Sequence, residues 1–187
     1  MQVCIGENRI VLLFPVLKVA VKLPRIRIVW ASSIFKRLIQ RACGKEVPLP
    51  MNVRGCLFNI LLRGITDNWG EFWFFLRTRH PFALPTYFSL LGLLNVQRVG
   101  EKLDKTTREN LWGQLHDLTS EFPIRIGSCL YRDSHHWQNV GNFCFWRGRL
   151  QILDYGSRRT QELIIAYGNK ILKGFDLNWR YHRPIRD

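Results

Sequence analysis

The sequence predicts an α+β protein, because short β-prone runs and amphipathic helical patterns both occur along its 187 residues. The β-prone runs lie at the N-terminus, near the middle and towards the C-terminal end. Helical patterns separate them. With 47% apolar residues, the chain can bury one substantial core. No segment repeats at a fixed period, so a repeat array is not expected.

Two strands are predicted at the N-terminus. Residues 9–13 are β-rich, Pro15 marks a turn, and residues 16–23 form a second apolar run that contains Lys22. Pro24 ends this run. Residues 26–42 change to helical spacing with a basic face, and Gly44 with two nearby prolines predicts a loop after them.

The middle of the chain predicts one long helix and a β-rich run. Apolar residues at three- and four-residue steps favour a helix over 53–79, which ends at His80-Pro81. Residues 86–99 are apolar and β-leaning, and Gly100 begins a polar connector.

The C-terminal half predicts a helix, a hairpin and a second helix. An amphipathic helix is expected over 106–120, with Thr106 as candidate N-cap. The runs 143–146 and 149–153 predict a hairpin whose tight turn is Arg147-Gly148. A last amphipathic helix is expected over 160–172, before a basic, aromatic tail.

The net charge of +14 attracts phosphate-rich partners, whether nucleotides, nucleic acid or a membrane surface. Five cysteines without a C-x-x-C pair favour reduced thiols over a disulfide framework or a structural zinc site. The apolar tracts are shorter than the ~20 residues of a membrane span, and the N-terminus lacks the order of a signal peptide. We therefore expect no membrane span and a cytoplasmic location.

Residues 133–156, which read DSHHWQNVGNFCFWRGRLQILDYG, combine several candidate site residues. An Asp-His-His cluster and two asparagines precede the hairpin, and Asp154-Tyr155-Gly156 follows it. The hairpin would hold Asp154 in register with Asn139 or Asn142. One amide oxygen and one carboxylate suit a Mg²⁺ ion that carries nucleotide phosphates.

This stretch resembles the protein-kinase-like superfamily, including its aminoglycoside-phosphotransferase-like branch, in which a catalytic loop, a hairpin and a D-F-G follow one another. Upstream, Val19-Ala20-Val21-Lys22 is similar to the V-A-I-K strand, and Glu71 lies where the helix-C glutamate is expected. The resemblance implies a compact two-lobed fold. Residues 1–99 would form a small β-rich N-lobe, and residues 100–187 a shortened helical C-lobe.

The resemblance also implies ATP and Mg²⁺ as cofactors and an unknown acceptor, a protein or a nucleic acid. Lys22 would hold phosphates, and Glu71 would fix Lys22. Two registers of the catalytic loop are open. In the preferred one, Asp133 is the base beside His135, and Asn139 holds the metal with Asp154. In the other, Asn142 is the metal ligand, and Trp137 stands where the base is expected.

Two departures from the family pattern favour other functions. No G-x-G-x-x-G precedes Lys22, and only 31 residues follow Gly156, which predicts a shortened C-lobe. One alternative is a catalytically degenerate pseudokinase that acts as an interaction or regulatory protein. Another is a basic nucleic-acid-binding protein, whose phosphate contacts and stacking rings would be Arg27, Lys36, Arg37, Arg41, Trp179, Arg180, Tyr181, Arg183 and Arg186.

Overall fold

The computed structural model describes residues 1–6, 8–25, 28–47, 62–120 and 139–176, which contain eight strands and four α-helices. All pairings between the named strands are antiparallel. The α+β class predicted from the sequence is therefore confirmed. None of the described helices is long and apolar enough to cross a membrane.

Five strands form the larger sheet, in the order β1-β2-β3-β5-β4. Their bounds are Gln2–Ile5 (β1), Arg9–Phe14 (β2), Val19–Pro24 (β3), Thr86–Leu90 (β4) and Leu94–Arg98 (β5). The sequence predicted β2 and β3, although β3 begins three residues later than the apolar run because residues 15–18 form the turn. Strand β1 was not predicted, and all four of its residues are exposed.

Two helices come from the N-terminal half of the chain. Helix α1 (Ile28–Ala42) is a strongly amphipathic segment, and helix α2 (Arg63–Thr78) packs against β3, β4 and β5. Helix α2 is capped by Arg79, which has a left-handed backbone and donates its N–H to the Phe75 carbonyl. The predicted helix over 53–79 is thus confirmed from Arg63 onward, while residues 53–61 lie outside the described residues.

The smaller sheet has the order β6-β7-β8, and its buried side chains share one hydrophobic core with the other two helices. Its strands are Glu101–Lys102 (β6), Phe143–Trp146 (β7) and Arg149–Ile152 (β8), and a short 3₁₀ turn (Val140–Asn142) precedes β7. The predicted hairpin is confirmed. Arg147 and Gly148 both have positive φ, as a tight two-residue hairpin turn requires.

Helices α3 (Lys105–Ser120) and α4 (Arg158–Gly174) pack against each other. Thr106 was wrong as the N-cap of α3, because the Thr107 N–H donates to the Asp104 carboxylate at 2.6 Å. A carboxylate just before the first helical turn accepts such a bond better than a hydroxyl inside it. In α4, the cap is Ser157, whose hydroxyl accepts from Thr160 N–H.

The main core lies between α3, α4 and the hairpin, and it reaches α2 through Phe74. Its fully buried members include Phe82, Leu115, Ile152 and Ile164. Backbone hydrogen bonds join the two parts of the fold, because Ile152 donates to Phe82 and accepts from Leu84 at 2.8 and 3.0 Å. The segment that enters β4 is therefore held directly on β8.

Candidate functional site

A cleft of about 570 Å³ lies between one face of the larger sheet and the strand and turn residues of the smaller sheet. This volume is within the range of small-molecule sites, which is roughly 300–1,000 Å³. The chain crosses from β5 to β6 at one side of the cleft, through Val99 and Gly100. A side chain at Gly100 would meet the Cys144 sulfur at 2.3 Å, so the crossing needs a glycine to lie this close to β7.

The sheet face that lines the cleft is apolar at one end and charged at the other. Leu13 on β2 is opposite Ala20 on β3, and Val11 is opposite Lys22. Residues paired in this way point to the same side, and alternate residues of a strand share that side. Arg9 therefore lies on the same face as Lys22, one step beyond Val11. The cleft can accept an apolar ring at one end and anionic groups at the other.

The charged end is an ion-pair cluster built around Glu71. Lys22 Nζ lies 2.8 Å from Glu71 Oε2, and Arg9 Nη1 lies 2.6 Å from Glu71 Oε1. The second terminal nitrogen of Arg9 donates to Asp154 Oδ1. Two cations and two carboxylates thus balance in charge. The cluster joins β2, β3, α2 and the residues that follow β8.

Burial makes this balance necessary. Arg9, Lys22 and Glu71 are buried, and Glu71 has no exposed surface, whereas the Asp154 side chain keeps 27% of its surface exposed. Burial lowers the pKa of Lys22 below its ordinary value, although the Glu71 carboxylate opposes this shift. Burial also acts to lower the pKa of Arg9, but Glu71 and Asp154 outweigh it, so that this pKa is raised. Burial raises the pKa of the neighbouring Asp67.

Hydrogen bonds fix the Asp154-Tyr155-Gly156 loop on several sides. Lys22 Nζ and Gln97 Nε2 donate to the Leu153 carbonyl at 2.9 and 3.1 Å. Tyr155 is fully buried, and its hydroxyl donates to the Leu84 carbonyl at 2.6 Å. These contacts hold Asp154 at the edge of the cleft.

Helix α2 also packs closely on this loop. A Cβ atom at Gly156 would lie 2.4 Å from the Asp67 carbonyl, and one at Gly70 would lie 2.7 Å from the Gly156 carbonyl. Gln161 on α4 donates to the carbonyls of Gly70 and Tyr155, each at 3.1 Å. Two glycines are therefore needed for the helix and the loop to approach this closely.

Both candidate asparagines line the cleft, but their roles differ. The Asn139 side chain accepts a hydrogen bond from Gly141 N–H at 3.0 Å and caps the 3₁₀ turn. The Asn142 carbonyl accepts from Leu153 N–H at 2.7 Å, so the hairpin places Asn142 beside the residue that precedes Asp154. The backbone contact concerns Leu153 rather than the Asp154 side chain, so both asparagines stay candidates for the partner of Asp154.

The structure brings Lys22, Glu71, Asn139, Asn142 and Asp154 to this region of the fold. Asp133 and His135, the predicted catalytic residues, lie outside the described residues. Within the described ranges, no group of three or more His, Cys, Asp or Glu residues could hold a metal ion. An Asn–Asp pair is still suited to Mg²⁺, which takes one or two carboxylates and completes its shell with water and substrate phosphates.

Sequence reasoning missed several polar residues of this site, among them Arg9, Asn68 and Gln97. Asn68 is buried and donates to the carbonyls of Lys22 and Gly92 at 3.3 and 2.9 Å. The alternation along 9–13 could have placed Arg9 on the same face as Val11 and Leu13. The pattern alone could not show that this face of the sheet lines the cleft.

The chain matches no protein-family model, no curated protein and no solved structure. Its function must therefore be argued from the residues of the cleft.

Proposed function

We propose that this chain is a small kinase-like phosphotransferase that binds ATP with Mg²⁺ in the cleft and transfers the γ-phosphoryl group to an acceptor. The observation that carries this proposal is the buried ion pair between Lys22 on β3 and Glu71 on α2, at 2.8 Å. Such a pair between a strand lysine and a helix glutamate is required in active protein kinases. In this chain it adjoins Asp154, the residue proposed for the metal.

The cleft supports the nucleotide part of the proposal. Leu13 and Ala20 offer an apolar surface for a purine ring, and Lys22 and Asp154 lie towards the charged end. In this arrangement the five-stranded sheet and α2 act as the N-lobe, and the hairpin with α3 and α4 acts as the C-lobe. The crossing at Val99-Gly100 fits the lobe boundary expected from the sequence.

The proposed roles follow the chemistry of each residue. Lys22, held by Glu71, contacts nucleotide phosphates, while Asp154 and Asn142 or Asn139 supply oxygen ligands for Mg²⁺. Bound Mg²⁺ would neutralise the charge that develops on the phosphates during transfer. Asp133, beside His135, would orient the acceptor hydroxyl. The acceptor is unknown, with a protein or a nucleic acid as the candidates to test first.

Binding is tested by calorimetric titration of the purified chain with ATP in the presence of Mg²⁺. We expect saturable binding that weakens about tenfold or more in Lys22→Met and Asp154→Asn, because each change removes a charge at the phosphate and metal positions. Lys36→Met is the matched control, since Lys36 is exposed on α1. A wild-type chain that binds no ATP at any accessible concentration would contradict the proposal.

Turnover is tested separately with γ-labelled ATP and mixed protein or RNA acceptors. Transfer or hydrolysis that Asp133→Asn abolishes, with ATP binding unchanged, is the expected outcome. Tight binding without turnover would instead support the second candidate, a pseudokinase that binds nucleotide as a regulatory protein. The contact between Arg9 and Asp154 favours this candidate, because it engages the proposed metal ligand with a protein cation.

A further inference from the structure

Arg9 occupies an unusual position at the charged end of the cleft. It is the first residue of β2, directly after the connection from β1, where a kinase-like chain would have its glycine-rich loop. Its two terminal nitrogens contact different carboxylates: Nη1 binds Glu71, and Nη2 binds Asp154. The planar guanidinium therefore bridges a fully buried anion and a partly exposed one.

The two contacts of Arg9 differ in how accessible they are to a ligand in the cleft. Glu71 has no exposed surface and also holds Lys22, so its contact with Arg9 belongs to the interior. Asp154 keeps about a quarter of its side-chain surface exposed and lines the cleft. Nη2 can thus leave Asp154 while Nη1 stays on Glu71.

We propose that Arg9 is an exchange ligand, which neutralises Asp154 when the cleft holds no nucleotide and turns to a nucleotide phosphate when Asp154 binds the metal. This inference rests on the proposed function. It assigns Arg9 the phosphate contact that the missing glycine loop would otherwise provide. Guanidinium is suited to this role because its fork binds carboxylate and phosphate oxygens with the same geometry.

The neutral charge of the cluster implies that Mg²⁺ and nucleotide bind together. Arg9 and Lys22 are already matched by Glu71 and Asp154, and the neighbouring Asp67 pairs with Arg63 at 3.8 Å, so a divalent cation alone would add two positive charges to a balanced cluster. Phosphates supply the anions that Arg9 needs once it releases Asp154. Metal and nucleotide should therefore bind cooperatively, each raising the affinity for the other by the same factor.

The experiment compares wild type with Arg9→Met in three calorimetric titrations: Mg²⁺ alone, ATP in EDTA, and ATP with Mg²⁺ saturating. For wild type we expect weak binding of Mg²⁺ alone and a coupling factor of about fivefold or more between Mg²⁺ and ATP. In Arg9→Met, Mg²⁺ alone should bind about fivefold or more tightly than to wild type, because Asp154 has lost its competing cation. ATP with Mg²⁺ saturating should bind about tenfold more weakly, because the phosphates lose the Arg9 contact, and the coupling between Mg²⁺ and ATP should fall.

Arg158→Gln is the matched control, since Arg158 is an exposed arginine that pairs with Glu162 on the surface of α4 at 3.1 Å. It should leave all three titrations unchanged. If Arg9→Met does not fold, Arg9→Lys replaces it, because an ammonium group cannot bridge two carboxylates as a fork does. Arg9→Lys should also reduce the coupling between Mg²⁺ and ATP.

The outcomes separate this inference from the proposed function. Unchanged Mg²⁺ affinity and unchanged coupling in the Arg9 variant, with ATP bound normally by wild type, would overturn the exchange and leave the proposed function standing. Tighter binding of both Mg²⁺ and ATP in Arg9→Met would make Arg9 a blocking residue and also overturn it. If wild type binds no ATP, both proposals fail together.

Discussion

Glu71 is the residue on which the buried charges of the site depend. It has no exposed surface and accepts hydrogen bonds from Arg9 and Lys22, one at each carboxylate oxygen. Without it, Lys22 would be a buried cation with no carboxylate partner at hydrogen-bonding distance among the described residues. The sequence suggested Glu71 through its resemblance to a helix-C glutamate, but the pattern could not show that a second cation shares it.

We predict that Glu71→Gln lowers the free energy of unfolding by about 3–5 kcal/mol, because removing one partner of a buried ion pair leaves uncompensated charge. For a chain of this size, this corresponds to a fall of roughly 6–20 °C in Tm. Thermal and urea unfolding measure the effect. The control is Glu162→Gln, which breaks an exposed pair with Arg158 at 3.1 Å and should change stability by less than about 1 kcal/mol.

The burial of Cys144 makes the stability of the folded chain depend on pH in the alkaline range. It is buried on β7, and burial raises the pKa of its thiol from 9.0 to about 12. The folded chain therefore holds this proton more strongly than the unfolded chain does. The protonated Cys144 thiol therefore contributes to the stability of the folded state fully below pH 9, and this contribution is lost as the pH rises towards 12.

We predict that Cys144→Ala reduces the alkaline loss of stability. Wild type should lose up to about 1.4 kcal/mol more than the variant for each pH unit above the unfolded thiol pKa. Urea unfolding at a series of alkaline pH values measures the free energy of unfolding of both proteins. Because Lys22 and Tyr155 are present in both, their contributions cancel when the two values are subtracted. Cys4→Ala is the control, since Cys4 is exposed. Parallel pH profiles for wild type and Cys144→Ala would contradict this assignment.

At the level of elements, the hairpin and its loop were the most predictable part of the site. Arg147-Gly148 between two β-prone runs specifies a tight turn from local sequence alone, and the structure has that turn. The pairing of β3 with β5 joins residues far apart in the chain, so local pattern could not reveal which side chains would meet there. Exposed β1 carries no buried apolar alternation, which explains why it was missed.

We predict that Gly156→Ala weakens ATP binding, whereas Gly148→Ala leaves it unchanged. At Gly156 the added Cβ would meet the Asp67 backbone at 2.4 Å, so the loop must move away from α2, at a cost of about 1–3 kcal/mol. This displacement should also weaken ATP binding, because it carries Asp154 with it. Gly148→Ala is the control, since open space surrounds that site and only its positive φ costs about 1 kcal/mol. Equal ATP affinities in Gly156→Ala and Gly148→Ala would contradict the prediction.

For the whole molecule, the net charge of +14 is the main electrostatic property. Excess positive charge opposes the compact state through self-repulsion, while the buried cluster around Glu71 is balanced and poorly accessible to salt. Composition supplies this net charge directly. It could not predict that Arg9 and Lys22 lie in the cleft, because charge counts do not distinguish buried from solvated residues.

We predict that raising NaCl from about 20 mM to about 300 mM increases Tm by a few degrees, because added salt screens repulsion between surface cations. The measurement is thermal unfolding by circular dichroism at constant pH. A fall in Tm with salt would mean that exposed ion pairs such as Arg158–Glu162 outweigh the repulsion.

The contact between Arg9 and Asp154 also constrains how the chain folds during its synthesis. The two residues are 145 positions apart, and Glu71 is 62 positions after Arg9. At roughly 5–20 residues per second, a ribosome needs about 7–30 s to make the stretch that separates Arg9 from Asp154. Glu71 is made less than halfway through that interval, but Asp154 does not yet exist, so Arg9 lacks one of its two anionic partners until the end. The sheet can therefore reach its final charge balance only after translation has passed the hairpin.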